Sequence, residues 1–315
     1  MDKNKLPKLS VVICTVNRQD MIVLCLKGLA KQVEKNFEVI IIDAGLDDSL
    51  EAICRRFIKS LKLKRIRVKK QNLPYQRNIG IANSVGFIVV FIDDDAIPAK
   101  DWTQNIIESF ARNRRTVVLG GKILSASKDY ISKFSGTLFD YGPKAKTVTT
   151  VTGVNSAFNL TRLKKLNRNF RKKIFDERFT TAADDTEACF YIGAKGGEIK
   201  YEPTVVVWHH FRRSLIKFIK RQFDYAHGDL IASTKASYRP YSLVEDYLFP
   251  LNKKSTTLLL PLLLPLIVFK RSAVFILRNG LVWTPLILIR EASYTIGLYI
   301  TLFQKAAGRL YYYEI

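Results

Sequence analysis

The stretch "FIVVFIDDDAIP", Phe87 to Pro98, decides how the rest of the chain is read. Six apolar residues, most of them β-branched or aromatic, run directly into Asp93, Asp94 and Asp95. A run of this kind predicts a buried strand. Three carboxylates at its end repel one another and are costly to desolvate, so something positive has to sit among them. On an extended strand end Asp93 and Asp95 share a face while Asp94 points across it. Mg2+ is commonly held by one or two carboxylates with phosphates completing its shell, so a nucleoside diphosphate carrying a divalent ion, Mg or Mn, meets the requirement. The bland alternative is a turn or helix cap with solvated carboxylates, the usual meaning of a lone Asp pair.

Working outward, "LSVVICT" (Leu9–Thr15), "FEVIIID" (Phe37–Asp43) and "KRIRVKK" (Lys64–Lys70) read as further strands. Helices are predicted over about 19–33, 47–60 and from Pro74 to about Ser84, a first-turn proline being well tolerated. Strand and helix alternating at this spacing predict a parallel sheet with crossover helices, and ligands bind beyond the carboxyl ends of such strands. Asp43 and the Asp93–Asp95 cluster are both at strand carboxyl ends and are expected to meet in one crevice. Downstream, "TVVLGGKIL" (Thr116–Leu124) predicts a strand, Tyr130 to Lys146 a loop or lid, and "TVTTVTGVNSAFNL" a strand or turn. "DDTEACFYIGAKGG" (Asp184–Gly197) predicts a helix with Asp184 as N-cap, Glu187 as its capping-box partner and glycines past its end. "EIKYEPTVVVW" is a final strand ending at His209 and His210. After it, Leu215, Ile216, Ile219 and Phe223 share one face of an amphipathic helix.

Composition bounds the partners. The 315 residues are 48% hydrophobic, ample for a core, and carry a formal net charge of +23. The charge gathers in runs such as "RRFIKSLKLKRIRVKK" from Arg55 and "RLKKLNRNFRKK" from Arg162, and points to a polyanionic partner, either nucleic acid or an anionic lipid surface. Each run alone reads as a solvated face. A nucleic-acid binder should interleave basic and aromatic residues on one module; here the charge is spread over unrelated segments beside a leucine-rich tail, so no nucleic acid is expected. Cys14, Cys25, Cys54 and Cys189 form no CxxC pair and read as reduced core thiols of a cytosolic-facing protein. "MDKNKLPKLS" has no apolar core, so no signal peptide is expected. The tail holds "LLLPLLLPLIVF" (Leu258–Phe269) and a stretch of spanning length, Leu281 to Phe303, interrupted only by Arg290 and Glu291. A membrane hairpin, a pair of interfacial helices and a soluble helical subdomain remain open, with membrane contact favoured by apolar residues on all faces and flanking Lys and Arg. The chain thus divides into a catalytic domain over 1–211, an amphipathic helix and linker over 212–254, and hydrophobic membrane-associating helices over 255–315.

Taken in order, "VVICTVNR", "VIIIDAG", "LPYQRNIGIANSVGFIVVFIDDDAIP", "GVNSAFNLTR" and "ADDTEACFYIGAKGGEIKYEPTVVVWHH" resemble a family 2 glycosyltransferase, across roughly residues 9 to 211. The resemblance implies an α/β GT-A fold, a Rossmann-like, mostly parallel sheet flanked by helices, followed here by a C-terminal hydrophobic helical region. It implies a nucleotide pocket of Thr15, Asn17, Arg18, Asp43, Arg77, Asp93 and Asp94, a metal held by Asp93 and Asp95, and Asp185 as catalytic base. His209 and His210 are metal or phosphate candidates, a structural role being as good a reading for each. Arg212 and Arg213 would pair with diphosphate oxygens or face a membrane, Tyr75 would stack, and Trp102 reads as core. Cys14 stands where proline is usual, and "DAGL" replaces the commoner Asp-Asp-Gly-Ser. The Gln-x-x-Arg-Trp segment of processive members is missing. The implied reaction is the inverting, metal-dependent transfer of one sugar from a nucleotide-diphosphate sugar to a lipid-linked or cell-surface glycan, at the cytoplasmic face of the cell membrane. A nucleotidyltransferase would use the same aspartates but needs a glycine-rich loop after the first strand, where "TVNRQD" has no glycine.

Overall fold

Buried β-branched runs alternating with amphipathic helices build the first half of the sheet. A computed structural model describes residues 8–171, 173–180, 182–234 and 256–307. In order come β1 (Leu9–Thr15), α1 (Gln19–Ala30), β2 (Phe37–Asp43), α2 (Ser49–Phe57), β3 (Leu63–Arg67), α3 (Leu73–Ala82) and β4 (Ile88–Ile92). β3, β2, β1 and β4 lie side by side and parallel, so the carboxyl ends of β1, β2 and β4 open on one edge. Asn72 caps α3 by accepting from Tyr75 N, with Pro74 in the first turn.

The second half is mixed. β5 (Ala96–Pro98), α4 (Trp102–Arg112), β6 (Thr116–Ser125), α5 (Tyr130–Thr137), β7 (Lys146–Thr147), β8 (Asn155–Asn159), α6 (Leu160–Leu166), α7 (Asp184–Ala194) and β9 (Glu198–His209) follow. The sheet order is β3-β2-β1-β4-β8-β6-β9-β5, with β7 pairing β9. β8 runs antiparallel to both β4 and β6, because it is entered from a loop and not from a crossover helix, which a parallel partner would need. Apolar side chains fill both faces of the sheet, around Val11, Ile13 and Trp102 on one side and Val12, Phe91 and Phe158 on the other. Trp102 is fully buried and donates to Asn155 Oδ1 at 2.9 Å.

Two expectations are corrected. Tyr130–Lys146 is not wholly a loop, since α5 occupies its first half, capped by Asp129 and anchored by buried Phe134. Asp184 is not the N-cap of α7: that position belongs to Ala183, in the left-handed region at φ 68°, and Asp184 is turned into the core. Beyond the sheet lie α8 (Leu215–Thr234), α9 (Thr256–Asn279), a 3-10 turn (Leu281–Trp283) and α10 (Thr284–Ala306). α10 packs along α8 through Ala226, Leu230, Tyr294 and Leu298. Among the described residues, Leu281–Gln304 is the one stretch long and apolar enough to cross a membrane, and half of its apolar window is buried against protein. The expected linker falls largely on residues 235–254, which lie outside the described residues, as do 1–7.

Candidate active site

The charge that balances the aspartates comes partly from the chain itself. β1 ends at Thr15, and a tight loop through Asn17, at φ 51° with its Oδ1 accepting from Leu46 N, brings Arg18 across the end of β4. Asp94 crosses toward this loop, where its carboxylate accepts from Thr15 Oγ1 at 2.6 Å and Arg18 Nη1 at 2.7 Å. Burial still pushes the Asp94 carboxyl up to about 6. Arg18 Nη2 lies 2.9 Å from Asp95 Oδ2.

β5, too short to stand out in the sequence, completes the cluster. It pairs antiparallel with the end of β9 and sets His209 opposite Ala96, so that His209 Nε2 lies 2.9 Å from Asp95 Oδ1. The contact lacks hydrogen-bond alignment, so Asp95 Oδ1 is buried without a hydrogen-bond partner, and His209 Nδ1, the other ring nitrogen, is buried without one as well. Asp93, Asp95 and His209 present ligand atoms within 4.8 Å of one another. Burial works against ionised Asp95, yet His209 and Arg18 hold its carboxyl below the usual range, whereas burial and the charge of Asp95 raise that of Asp93. Two carboxylates and an imidazole with an orphaned buried oxygen are a donor set that fits a divalent cation such as Mg2+ or Mn2+. His210 is outside this group. Its N–H donates to the Asp95 carbonyl at 3.0 Å, and its buried Nε2 has no side-chain partner.

Asp43 closes the neighbouring strand end. Arg65 donates to its Oδ2 from Nε and Nη2 at 2.9 and 2.6 Å, and Gly45 N donates to Oδ1 at 2.8 Å. A crevice lined by Thr15, Asn17, Arg18, Asp43 and Gly45 lies beside it. Arg18 also lines a cavity of about 180 Å³ with Asp93, Asp95, His209, His210 and Arg212, so it borders both spaces. Ala44 is buried and Leu46 exposed.

Arg77, expected near a nucleotide, lies between Asp184 and Asp93. It is 4% exposed, sits over Phe91 and Phe175, and binds Asp184 Oδ2 through Nη1 at 2.5 Å, with Asp93 Oδ1 4.0 Å from Nη2. Burial lifts the Asp184 carboxyl to about 6 even with this partner. A Cβ on Gly153 would stand 2.0 Å from Arg77 Nη2, so only glycine fits there, and its N–H donates to Asp185 Oδ2 at 2.7 Å. Cys14 lies beneath the pair, its thiol pushed far up by burial. Tyr75 is half-buried under Lys70, 5.3 Å from its ring centroid. Arg213 binds Ser127 Oγ at 3.0 Å and lies 3.6 Å from Asp129. Sequence reasoning missed Arg65, Gly153 and β5. The signal for Arg65 was present: in "KRIRVKK" alternate residues face one way, and Arg65 and Arg67 both reach the acids beyond β2.

Residues 10–192 match the family described as Glycosyl transferase family 2. The chain is 36% identical over 97 residues to an uncharacterised glycosyltransferase of Rickettsia conorii, covering 30% of this chain and 16% of that relative's length. It is 24% identical over 236 residues to the dolichyl N-acetyl-alpha-D-glucosaminyl phosphate 3-beta-D-2,3-diacetamido-2,3-dideoxy-beta-D-glucuronosyltransferase of Methanococcus voltae, covering 69% and 71% of the two. The fold is similar to that of mannosyltransferase PcManGT from Pyrobaculum calidifontis in complex with GDP-Man and Mn2+, with a TM-score of 0.63 and 20% identity over 98% of this chain and 88% of that one.

Proposed function

The chain belongs to glycosyl transferase family 2 and is a glycosyltransferase, and from that premise we propose that it moves one sugar from a nucleotide-diphosphate sugar to a lipid-linked or cell-surface glycan acceptor. The observation that carries this reading is the Asp93–Asp95–His209 cluster, with its orphaned Asp95 oxygen, at the strand edge where the crevice and the cavity meet. These three residues would hold Mg2+ or Mn2+, which when bound neutralises the charge on the departing diphosphate. Arg18 steers the same phosphates, while Thr15, Asn17, Asp43 and Asp94 shape the space for base and ribose.

Asp185 is the base. Its Oδ2 is fixed by Gly153 N and its Oδ1 accepts from Thr186 N at 2.8 Å, so the carboxylate is held in one orientation while partly open to solvent. It takes the proton of the acceptor hydroxyl as that oxygen attacks the anomeric carbon and the bond to the diphosphate breaks, a single displacement that inverts the centre. Arg77 acts as a positioning residue, its pairing with Asp184 setting the start of α7. The Methanococcus relative's name includes a dolichyl phosphate, which favours the lipid-linked acceptor and with it a membrane location. The test is transfer from uridine, guanosine and thymidine diphosphate sugars with Mg2+, Mn2+ or chelator. Full transfer by both Asp95→Ala and Asp185→Ala would overturn the reading, as would pyrophosphate as product.

A further inference from the structure

The outer side of the C-terminal helices is apolar, exposed and continuous with basic residues. Along α9, Leu266, Phe269, Val274 and Leu277 are all exposed and recur at helical spacing, Leu277 at 88%. The 3-10 turn adds Leu281, 80% exposed, and Val282. α10 adds Leu288, Ile296, Ile300 and Phe303. The opposite side of α10 is fastened to α8 by more than apolar packing: Tyr294 Oη donates to Asp229 Oδ2 at 2.8 Å, and His227 Nδ1 meets Thr301 Oγ1 at 3.2 Å. Glu291 is fully buried against Arg271 and Arg290.

α10 therefore cannot cross a bilayer without taking α8 along, and α8 carries Lys217, Lys220, Asp224 and Asp229. Charges of that number do not enter hydrocarbon. The same α8 begins in an exposed stretch, Arg212 to Lys217, in which Leu215 and Ile216 sit between basic residues. Contacts join this stretch to the turn between α9 and α10: Arg213 reaches Asp129, next in the chain to Tyr130, and Tyr130 donates to the Val282 carbonyl and stacks on Trp283 at 5.0 Å.

We propose that Ile216, Tyr130, Leu277, Leu281 and Val282, rimmed by Arg213, Lys217 and Lys270, form an in-plane docking face for an anionic lipid bilayer, on which α9 and α10 lie without spanning. Charge complementarity selects this occupant: the chain is +23, the rim is basic, and anionic headgroups supply the counter-charge. Phe218, Arg221 and Gln222, within about two turns of Ile216 on α8, line the 180 Å³ cavity that holds Asp93 and Asp95. Docking thus sets the mouth of that cavity beside the headgroups, where a lipid-linked acceptor presents its hydroxyl. The acceptor clause rests on the proposed function; the docking does not.

The experiment is flotation of the full chain with phosphatidylcholine vesicles, with and without phosphatidylglycerol, followed by high-salt and carbonate washes. The wild type is expected to float with the anionic vesicles and to be released by the washes. Leu277→Asp/Leu281→Asp and Lys217→Glu should each lose at least about tenfold in vesicle affinity, with donor nucleotide binding and circular dichroism unchanged. Retention through carbonate would show a spanning helix and overturn the proposal. So would undiminished flotation of the variants, or a wild-type dimer that ignores vesicles and is split by Leu277→Asp/Leu281→Asp, which would make a second copy the occupant. Loss of donor binding without loss of flotation would count against the proposed function alone.

Discussion

Two charged clusters adjoin beneath the strand edge, and they are built to opposite rules. Arg77 and Asp184 are both more than nine-tenths buried and joined by a 2.5 Å bond between aromatic rings. Asp93, Asp95 and His209 begin 4.0 Å away, yet leave a buried carboxylate oxygen and a ring nitrogen unmatched. A buried ion pair that satisfies itself fixes geometry and offers nothing to a ligand; one left unsatisfied is costly unless something else completes it. The first cluster orients Asp185 through Gly153 and the start of α7, and the second presents the groups that the proposed divalent cation would use.

The comparison can be broken at several points. The largest effect is expected at the group that the closed pair positions: Asp185→Asn should lower kcat by about 10²–10⁴ with donor affinity unchanged, checked by initial rates at saturating donor beside a binding titration. Next, Arg77→Met should destabilise the fold by about 3–5 kcal/mol in denaturant melts, because Asp184 is left as an uncompensated buried charge. Adding Asp184→Leu to that variant should restore much of the loss; a double variant as unstable as the single one would mean that Arg77 acts through something other than the pair. Asp95→Ala should behave in the opposite way, costing less stability without metal than Arg77→Met, because losing the carboxylate also relieves its repulsion of Asp93 and Asp94. It should also abolish the stabilisation, about 2.7 kcal/mol at a hundredfold excess over Kd, that Mn2+ confers on the wild type in thermal melts. The smallest effect is expected from Gly153→Ala, about 1–3 kcal/mol of overpacking against the Arg77 guanidinium, with a loss of kcat that reports displacement of Asp185.

Legibility in the sequence follows the same division. β1 and β2 occupy the predicted residues because an unbroken apolar run flanked by polar residues has one way to be buried. The second half was harder to read because its pairings are distant. β5 is three residues long and exists only because β9, more than a hundred residues later, lies against it, so the approach of His209 to Asp95 had no local signal. Asp184 followed by Glu187 looks like a capping box, yet Arg77 outcompetes the helix N-terminus for the carboxylate. α5 was hidden by its glycine and serine content, although Asp129 with Ile131, Phe134 and Leu138 gave a cap and an apolar stripe. The separation of Asp94 from Asp93 and Asp95 has another cause than the strand alternation expected: β4 ends at Ile92, and Asp93–Asp95 form a turn closed by Ala96 N donating to the Asp93 carbonyl at 3.1 Å; that Arg18 would meet Asp94 depended on the left-handed turn at Asn17.

The most direct test of the central claim is calorimetric titration of the wild type and Asp95→Ala with uridine and guanosine diphosphates, in Mn2+ and in chelator. The account predicts that one of the nucleotides binds the wild type only with metal, and that Asp95→Ala binds it no better in Mn2+ than in chelator. Binding that is indifferent to both metal and the Asp95 carboxylate would contradict it.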